Sequence, residues 1–142
     1  MGWCHVDSIL KVELGRRAVG ERLVQQGGLL DGHFPGRPIQ PGVLTLQGLI
    51  DVTRHLIAET ERAAQREPTA PELLKIEKAN FVQTVVPGER LVLEVKVSKW
   101  DDREVRLRGT ARVAETLKAE AIFIMVLHRH GTGITPKSWD AA

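Results

Sequence analysis

Only one stretch of this 142-residue chain repeats its apolar residues at helical spacing. Val43, Leu46, Ile50 and Ile57 fall near one stripe, and Leu44, Leu49, Val52 and Leu56 widen it. The spacing predicts a helix from Val43 to about Arg66, its first turns apolar nearly all round and therefore buried. After Ala58 the pattern turns polar through Glu59, Glu61, Arg62, Gln65 and Arg66, as in a helix that runs out into solvent. About 24 residues at 1.5 Å each span about 36 Å. Pro68 and Pro71 are expected to end it. A single buried helix of that length needs a broad surface to cover it, and the rest of the chain has the period of strands.

Before the helix, Val6, Ile9, Leu10, Val12 and Leu14 lead through Gly15-Arg16-Arg17 to Ala18, Val19, Leu23 and Val24, which reads as two strands and a turn. Gly27 to Gly42 is punctuated by Gly and Pro and reads as loop. After the helix, everything from Leu73 to about Leu127 reads as antiparallel sheet. Pro87-Gly88-Glu89-Arg90 makes one turn and Asp101-Asp102 another. Leu91, Leu93, Val95 and Val97 alternate with polar neighbours, as do Val105, Leu107, Gly109 and Ala111. Ala121–Leu127 is almost unbroken apolar sequence, suited to a central strand. The expectation is one α+β domain over 1–142, a curved antiparallel sheet wrapped around a helix at 43–66, with 1–5 and 131–142 as peripheral tails.

Composition narrows the function. A net charge of +2 with 4% aromatics and no Tyr gives no nucleic-acid signature. No apolar run reaches the roughly 20 residues of a membrane span, since Arg54 and His55 interrupt the best candidate. The N-terminus lacks the basic-then-apolar order of a signal peptide, so a cytoplasmic protein is expected. One cysteine rules out an intrachain disulfide framework. His128 and His130 would share a strand face but have no third ligand, so no metal is expected. Cys4-His5 adjacency says nothing of a nucleophile and base, and Asp51 with His55 reads as a local helix pair. Neither a dinucleotide fingerprint nor a Walker sequence occurs.

One segment carries chemistry: Gly32-His33-Phe34-Pro35-Gly36-Arg37-Pro38-Ile39-Gln40-Pro41-Gly42-Val43-Leu44. A histidine sits in a Pro/Gly-stiffened loop nine positions before a helix start. The helix N-terminus offers N–H groups and the positive end of a dipole. Together they could set a base beside a carbonyl polarised by a backbone amide; an ordinary loop with a satisfied histidine fits the same residues.

The His-Phe-Pro-Gly-x-Pro-x-x-Pro-Gly-Val-Leu run resembles the β-hydroxyacyl-[acyl carrier protein] dehydratases, which have the hot-dog fold. Val6–Leu10 with Gly15–Val19 is similar to that family's first hairpin, and Lys75–Phe81 with Val85–Leu91 to its next strand and turn. The likeness runs roughly from Val6 to Leu127. It implies His33 as the base/acid at C2 of an acyl thioester and the Gly42 N–H as donor to the thioester carbonyl. Phe34, Pro35, Gly36 and Val43 would line the substrate, and Arg37 is the best candidate for carrier-protein docking. Arg16, Arg17, Lys99, Arg103, Arg106 and Arg108 are weaker candidates, explained equally well as solvated strand positions. No cofactor is implied beyond the phosphopantetheine arm that carries the substrate. The implied partners are acyl carrier protein and further copies of the chain, as a homodimer or a higher homo-oligomer of dimers with each site built from both protomers, and neither nucleic acid nor membrane.

The resemblance also implies a carboxylate fourteen positions after the histidine, where this chain has Gln47. An amide cannot deliver a proton at neutral pH, and general acid–base help is worth about 10²–10⁴-fold. In the family the acid is commonly followed four positions later by Gln; here Gln47 is followed by Asp51, one helix turn on. The pair reads as swapped, with Asp51 serving the site directly or through a water; the alternative is that Asp51 pairs with His55 or Arg54 and the site is catalytically weak. Two classes stay open: a dehydratase forming a trans-2-enoyl thioester from a (3R)-hydroxyacyl thioester in fatty-acid or related lipid metabolism, and a hot-dog protein without that chemistry. The second could be an acyl-binding or partner subunit, or a thioesterase using Asp51.

Overall fold

The computed structural model describes residues 6–25 and 42–128. Its elements are β1 (Ser8–Glu13), β2 (Arg17–Leu23), α1 (Gly42–Ala63), β3 (Glu72–Phe81), β4 (Arg90–Trp100), β5 (Glu104–Val113) and β6 (Thr116–Val126). The six strands form one sheet in the order β1-β2-β4-β5-β6-β3. Every neighbouring pair is antiparallel. Turn chemistry closes the hairpins. Gly15 takes a positive φ of 72° between β1 and β2, where the Arg16 N–H donates to the Glu13 carbonyl at 2.9 Å. The Asp101 carboxylate accepts the N–H groups of Arg103 (2.8 Å) and Glu104 (2.9 Å). Those two bonds hold its carboxyl below the usual aspartate range.

Strand alternation sorts the two faces as expected. Leu91, Leu93, Val95, Val105, Leu107, Phe123 and Met125 are buried on the inner face, against Leu49, Val52, Leu56 and Ile57 of α1. Burying each such side chain contributes about 1.5–3 kcal/mol. The helix packs across β1, β2, β4, β5 and β6. Two strand positions without a side chain let it come close. A Cβ on Gly109 would stand 3.0 Å from Leu49 Cδ1, and one on Gly20 would stand 2.9 Å from Val52 Cγ2. The Ala121–Leu127 run falls on β6, between β5 and β3, an interior position as its apolar character requires.

Two expectations about the helix need correction. It ends at Ala63, short of Arg66, and the prolines do not stop it. Gln65 takes a left-handed φ of 57°, and the Arg66 N–H folds back to the Glu61 carbonyl at 2.9 Å, a local reversal that satisfies end carbonyls. The buried Glu61 side chain then anchors the following turn, accepting the Thr69 N–H (3.1 Å) and hydroxyl (2.7 Å). Nor are the first turns buried all round: Val43 is 66% exposed. Apolar sequence on every side of a helix does not supply covering on every side, and the sheet reaches only one.

The seating of α1 on β5 gives a test. Gly109→Val is expected to lower stability by about 1–3 kcal/mol through overpacking against Leu49, measured by urea denaturation. Leu49→Ala should then cost less in the Gly109→Val chain than in the natural one. Equal costs would show that the two positions do not share this contact.

Candidate active site

The flank of α1 turned away from the sheet carries Val43, Gln47, Asp51 and Arg54, spaced so that they share one face. Its opposite flank is Leu49, Val52, Thr53, Leu56 and Ile57, all buried. The polar pair is therefore placed by the same periodicity that builds the core. The Gln47 Nε2 donates to Asp51 Oδ1 at 3.1 Å. Arg54 Nη1 approaches the same oxygen at 3.5 Å, with the Asp51 side chain 14% exposed and the Arg54 side chain 43%. Arg54 Nε also donates to the Pro71 carbonyl, 3.2 Å away, just before β3.

At the start of α1, Gly42 meets the end of β3. A Cβ there would lie 2.6 Å from Phe81 Cε1, so only glycine admits the ring where it stands. No acidic side chain occupies the first turn, which leaves the positive end of the helix dipole without an opposing charge from that turn. The segment after Phe81 is pinned by Lys118. Its carbonyl accepts the N–H groups of Val82 (2.8 Å) and Gln83 (3.2 Å), and its largely buried ammonium donates to the Thr84 carbonyl at 3.0 Å. So β3 is bridged to α1 at both ends, by Phe81 on Gly42 and by Arg54 on Pro71, with Gln47 and Asp51 between. Phe81 gave no functional signal in the sequence. It ends a strand thirty-nine residues from Gly42, and only the fold brings the two together.

Of the expected site residues, Gly42, Val43, Gln47 and Asp51 lie on one helix, and the structure joins Gln47 to Asp51. His33, Phe34, Pro35, Gly36 and Arg37 lie outside the described residues, as do Cys4, His5 and His130. His128 bonds Glu72 Oε1 at 2.7 Å across the β6–β3 end. Among the described residues no three potential metal ligands cluster. Of the weaker docking candidates, Arg17 pairs with Glu13 and Glu94, Arg106 with Glu77 and Arg108 with Glu120. Glu13 and Glu120 are held below the usual carboxylate range by these contacts, Lys11 and Asn80 contributing first. A groove of about 260 Å³ lined by Lys78, Arg108, Glu120, Ala121 and Ile122 lies on the outer sheet face, away from Gln47 and Asp51.

Residues 5–124 match the model of the FabA-like domain. The chain belongs to that family. It is 35% identical over 123 residues to a 3-hydroxyacyl-[acyl-carrier-protein] dehydratase FabZ of Anaeromyxobacter dehalogenans, covering 86% of this chain and 79% of the relative. The enzyme of the same name from Pelotomaculum thermopropionicum is 37% identical over 117 residues, 82% of this chain and 81% of its own. Among solved structures, the dehydratase heterocomplex ApeI:P from Xenorhabdus doucetiae superposes with a TM-score of 0.77 at 11% identity, over 90% of this chain and 85% of that one. The fold of this FabA-like chain is the hot-dog fold, here with an open six-stranded sheet. By family it is a dehydratase-like lyase. No helix of the described residues is long and apolar enough to cross a membrane.

The contact at Gly42 makes a second test. Phe81 is 54% exposed and can swing aside, so Gly42→Ala is expected to cost less than about 1 kcal/mol. In a Phe81→Ala background the same substitution should cost nothing measurable by thermal unfolding. A loss of several kcal/mol in the natural background would mean that the ring is fixed in place.

Proposed function

We propose that this chain removes water from a 3-hydroxyacyl thioester carried on acyl carrier protein, forming the trans-2-enoyl thioester. The observation that carries the reading is membership of the FabA-like family over residues 5–124, with Gly42 at the start of α1 and the Gln47–Asp51 pair one to three turns on. His33 takes the proton from C2. The Gly42 N–H, at the positive helix end, stabilises the enolate oxygen. The C3–O bond then breaks, and the hydroxyl leaves as water with the proton that His33 took from C2. Gln47 cannot supply that proton; Asp51 serves the site directly or through a water. Phe34, Pro35, Gly36 and Val43 line the acyl thioester, and Arg37 meets the acidic carrier protein. The chemistry needs no cofactor of its own.

The active form is a homodimer. β3 is a sheet edge, and Leu73, Leu74, Ile76, Phe81 and the adjacent Val82 are 37–54% exposed along it. A long edge with that much exposed apolar surface is a template for another strand. The opposite edge, β1, exposes Leu10 and, just beyond it, Leu14, and carries Lys11 and Glu13. A second copy pairing β3 to β3 about a two-fold axis covers this edge, and it places a partner beside the Gln47 flank.

The substitution at Gln47 favours a second reading, a hot-dog subunit without dehydratase chemistry. The test separates them. The whole chain, given a 3-hydroxyacyl carrier protein, is expected to form the conjugated enoyl product. His33→Ala should abolish it, and Asp51→Asn should lower it by about 10²-fold. Release of free thiol would identify a thioesterase. An inert natural chain in which Gln47→Glu alone restores elimination would overturn the role given to Asp51.

A further inference from the structure

We infer that the outer face of the sheet, on the far side from α1, is a docking surface for an acidic segment of a partner protein. Residues paired across neighbouring strands point to the same face, so the register lays two bands of cations across the molecule. One runs Arg17, Lys96, Arg108, Ile122 and Lys78 over β2, β4, β5, β6 and β3. The next runs Lys99, Arg106, Ile124 and Lys75 over β4, β5, β6 and β3. Both lie outside, because the alternating positions Ala18, Val95, Leu107, Ala121 and Phe123 are buried in the core. Glu104 and Glu72 flank Val126 beyond the second band and bound it on that side.

The carboxylates paired with these seven cations are Glu13 and Glu94 on Arg17, Glu77 on Arg106 and Glu120 on Arg108. Seven against four leaves a surplus of three within the bands, in a chain whose whole surplus is two. Lys75, Lys78, Lys96 and Lys99 make no ion pair among the described residues. The pairing also differs between bands. Arg106 meets Glu77 at 2.7 Å, whereas Arg108 stands 3.4 Å from Glu120, longer than a closed charge-assisted bond. Here the groove of about 260 Å³ opens, lined by Lys78, Arg108, Glu120, Ala121 and Ile122. The register sets Lys78 and Arg108 on either side of Ile122. A carboxylate entering between them meets two cations, and the Arg108 fork can grip it in place of Glu120.

The groove is smaller than the roughly 300–1,000 Å³ of a small-molecule pocket, so it suits one side chain of a larger partner. The bands hold no aromatic residue on which a base could stack. Their apolar members, Ile122 and Ile124, are half-buried and offer nothing to insert into lipid. Glu77, Glu94 and Glu120 interrupt the positive field; a polypeptide can answer both signs, which a run of phosphates cannot. The sheet stands between this face and the Gln47–Asp51 flank, so a partner docked here delivers no substrate. Pairing β3 to β3 in the proposed homodimer leaves these side chains on the outer face.

The test is fluorescence anisotropy of a labelled peptide of alternating Glu and Ser, mixed with the whole chain at low salt. The peptide is expected to bind and to loosen as salt rises. Lys75→Glu with Lys78→Glu should weaken binding by about tenfold or more. Arg62→Glu with Arg66→Glu makes the same change in net charge at the exposed end of α1 and should weaken it by less than about twofold. Melting temperatures close to that of the natural chain show that both variants fold. Absence of binding, or equal loss in the two variants, would overturn the inference, the second by reducing the effect to bulk charge. Tighter binding to phosphatidylserine-containing vesicles or to single-stranded oligothymidine would overturn the choice of partner. A raised KM for a carrier-protein substrate in the Lys75/Lys78 variant would make this face the carrier protein's own and overturn it equally.

Discussion

The contact on which the rest of this structure depends is the seating of α1 on the sheet at two strand positions that have no side chain. Leu49 stands over Gly109 and Val52 over Gly20, each so near that a methyl group in the strand would displace it. That closeness sets the rotation of the helix, because only one face can enter. With Leu49, Val52, Leu56 and Ile57 committed to the sheet, the opposite flank of the helix faces away from it. Gln47, Asp51 and Arg54 are on that flank by geometry, so core packing and the polar site are two outcomes of one 3.6-residue period.

The same seating explains why β3 is different from its neighbours. The other five strands pack against the helix, whereas β3 meets it at Phe81 on Gly42, and Arg54 bonds Pro71 just before the strand begins. A strand bridged at its ends and open along its length leaves apolar side chains uncovered. In a chain this size that surface is costly unless something else covers it, and a second copy with the same edge is the simplest cover. In the proposed dimer the polar pair lies near a seam between two chains, where water is excluded and a carboxylate and amide act more strongly than at an open surface.

Much of this was legible in the sequence. Alternation at Leu91–Val97 and Val105–Ala111, the Gly15 and Gly88 turns and the apolar run on β6 gave the strands and their inner face. The i, i+4 spacing put Gln47 and Asp51 together. Three features were not legible, each for a physical reason. The helix ends at a left-handed Gln65, a residue with no strong preference for that conformation, so sequence pointed to the prolines beyond. Val43 is apolar but exposed, because the periodicity of a helix says which residues share a face and not whether that face is covered. Phe81 reaches Gly42 only through a register set across the sheet, which a local pattern does not contain. The carbonyl-polarising and base roles came from resemblance, and His33 with its loop lies outside the described residues.

The proposed homodimer, read with the resemblance that implies sites built from both protomers, has His33 of one chain act with the Gln47–Asp51 flank of the other. Complementation tests it most directly. Chains carrying His33→Ala and chains carrying Asp51→Asn are unfolded together in equal amounts, refolded, and assayed for enoyl thioester formation. In a two-fold dimer, half of the mixed population is heterodimer, and each heterodimer holds one site with both natural residues. The account predicts recovery of about one quarter of natural activity, against little from either variant refolded alone. Co-refolded material no more active than the mean of the two variants would contradict it.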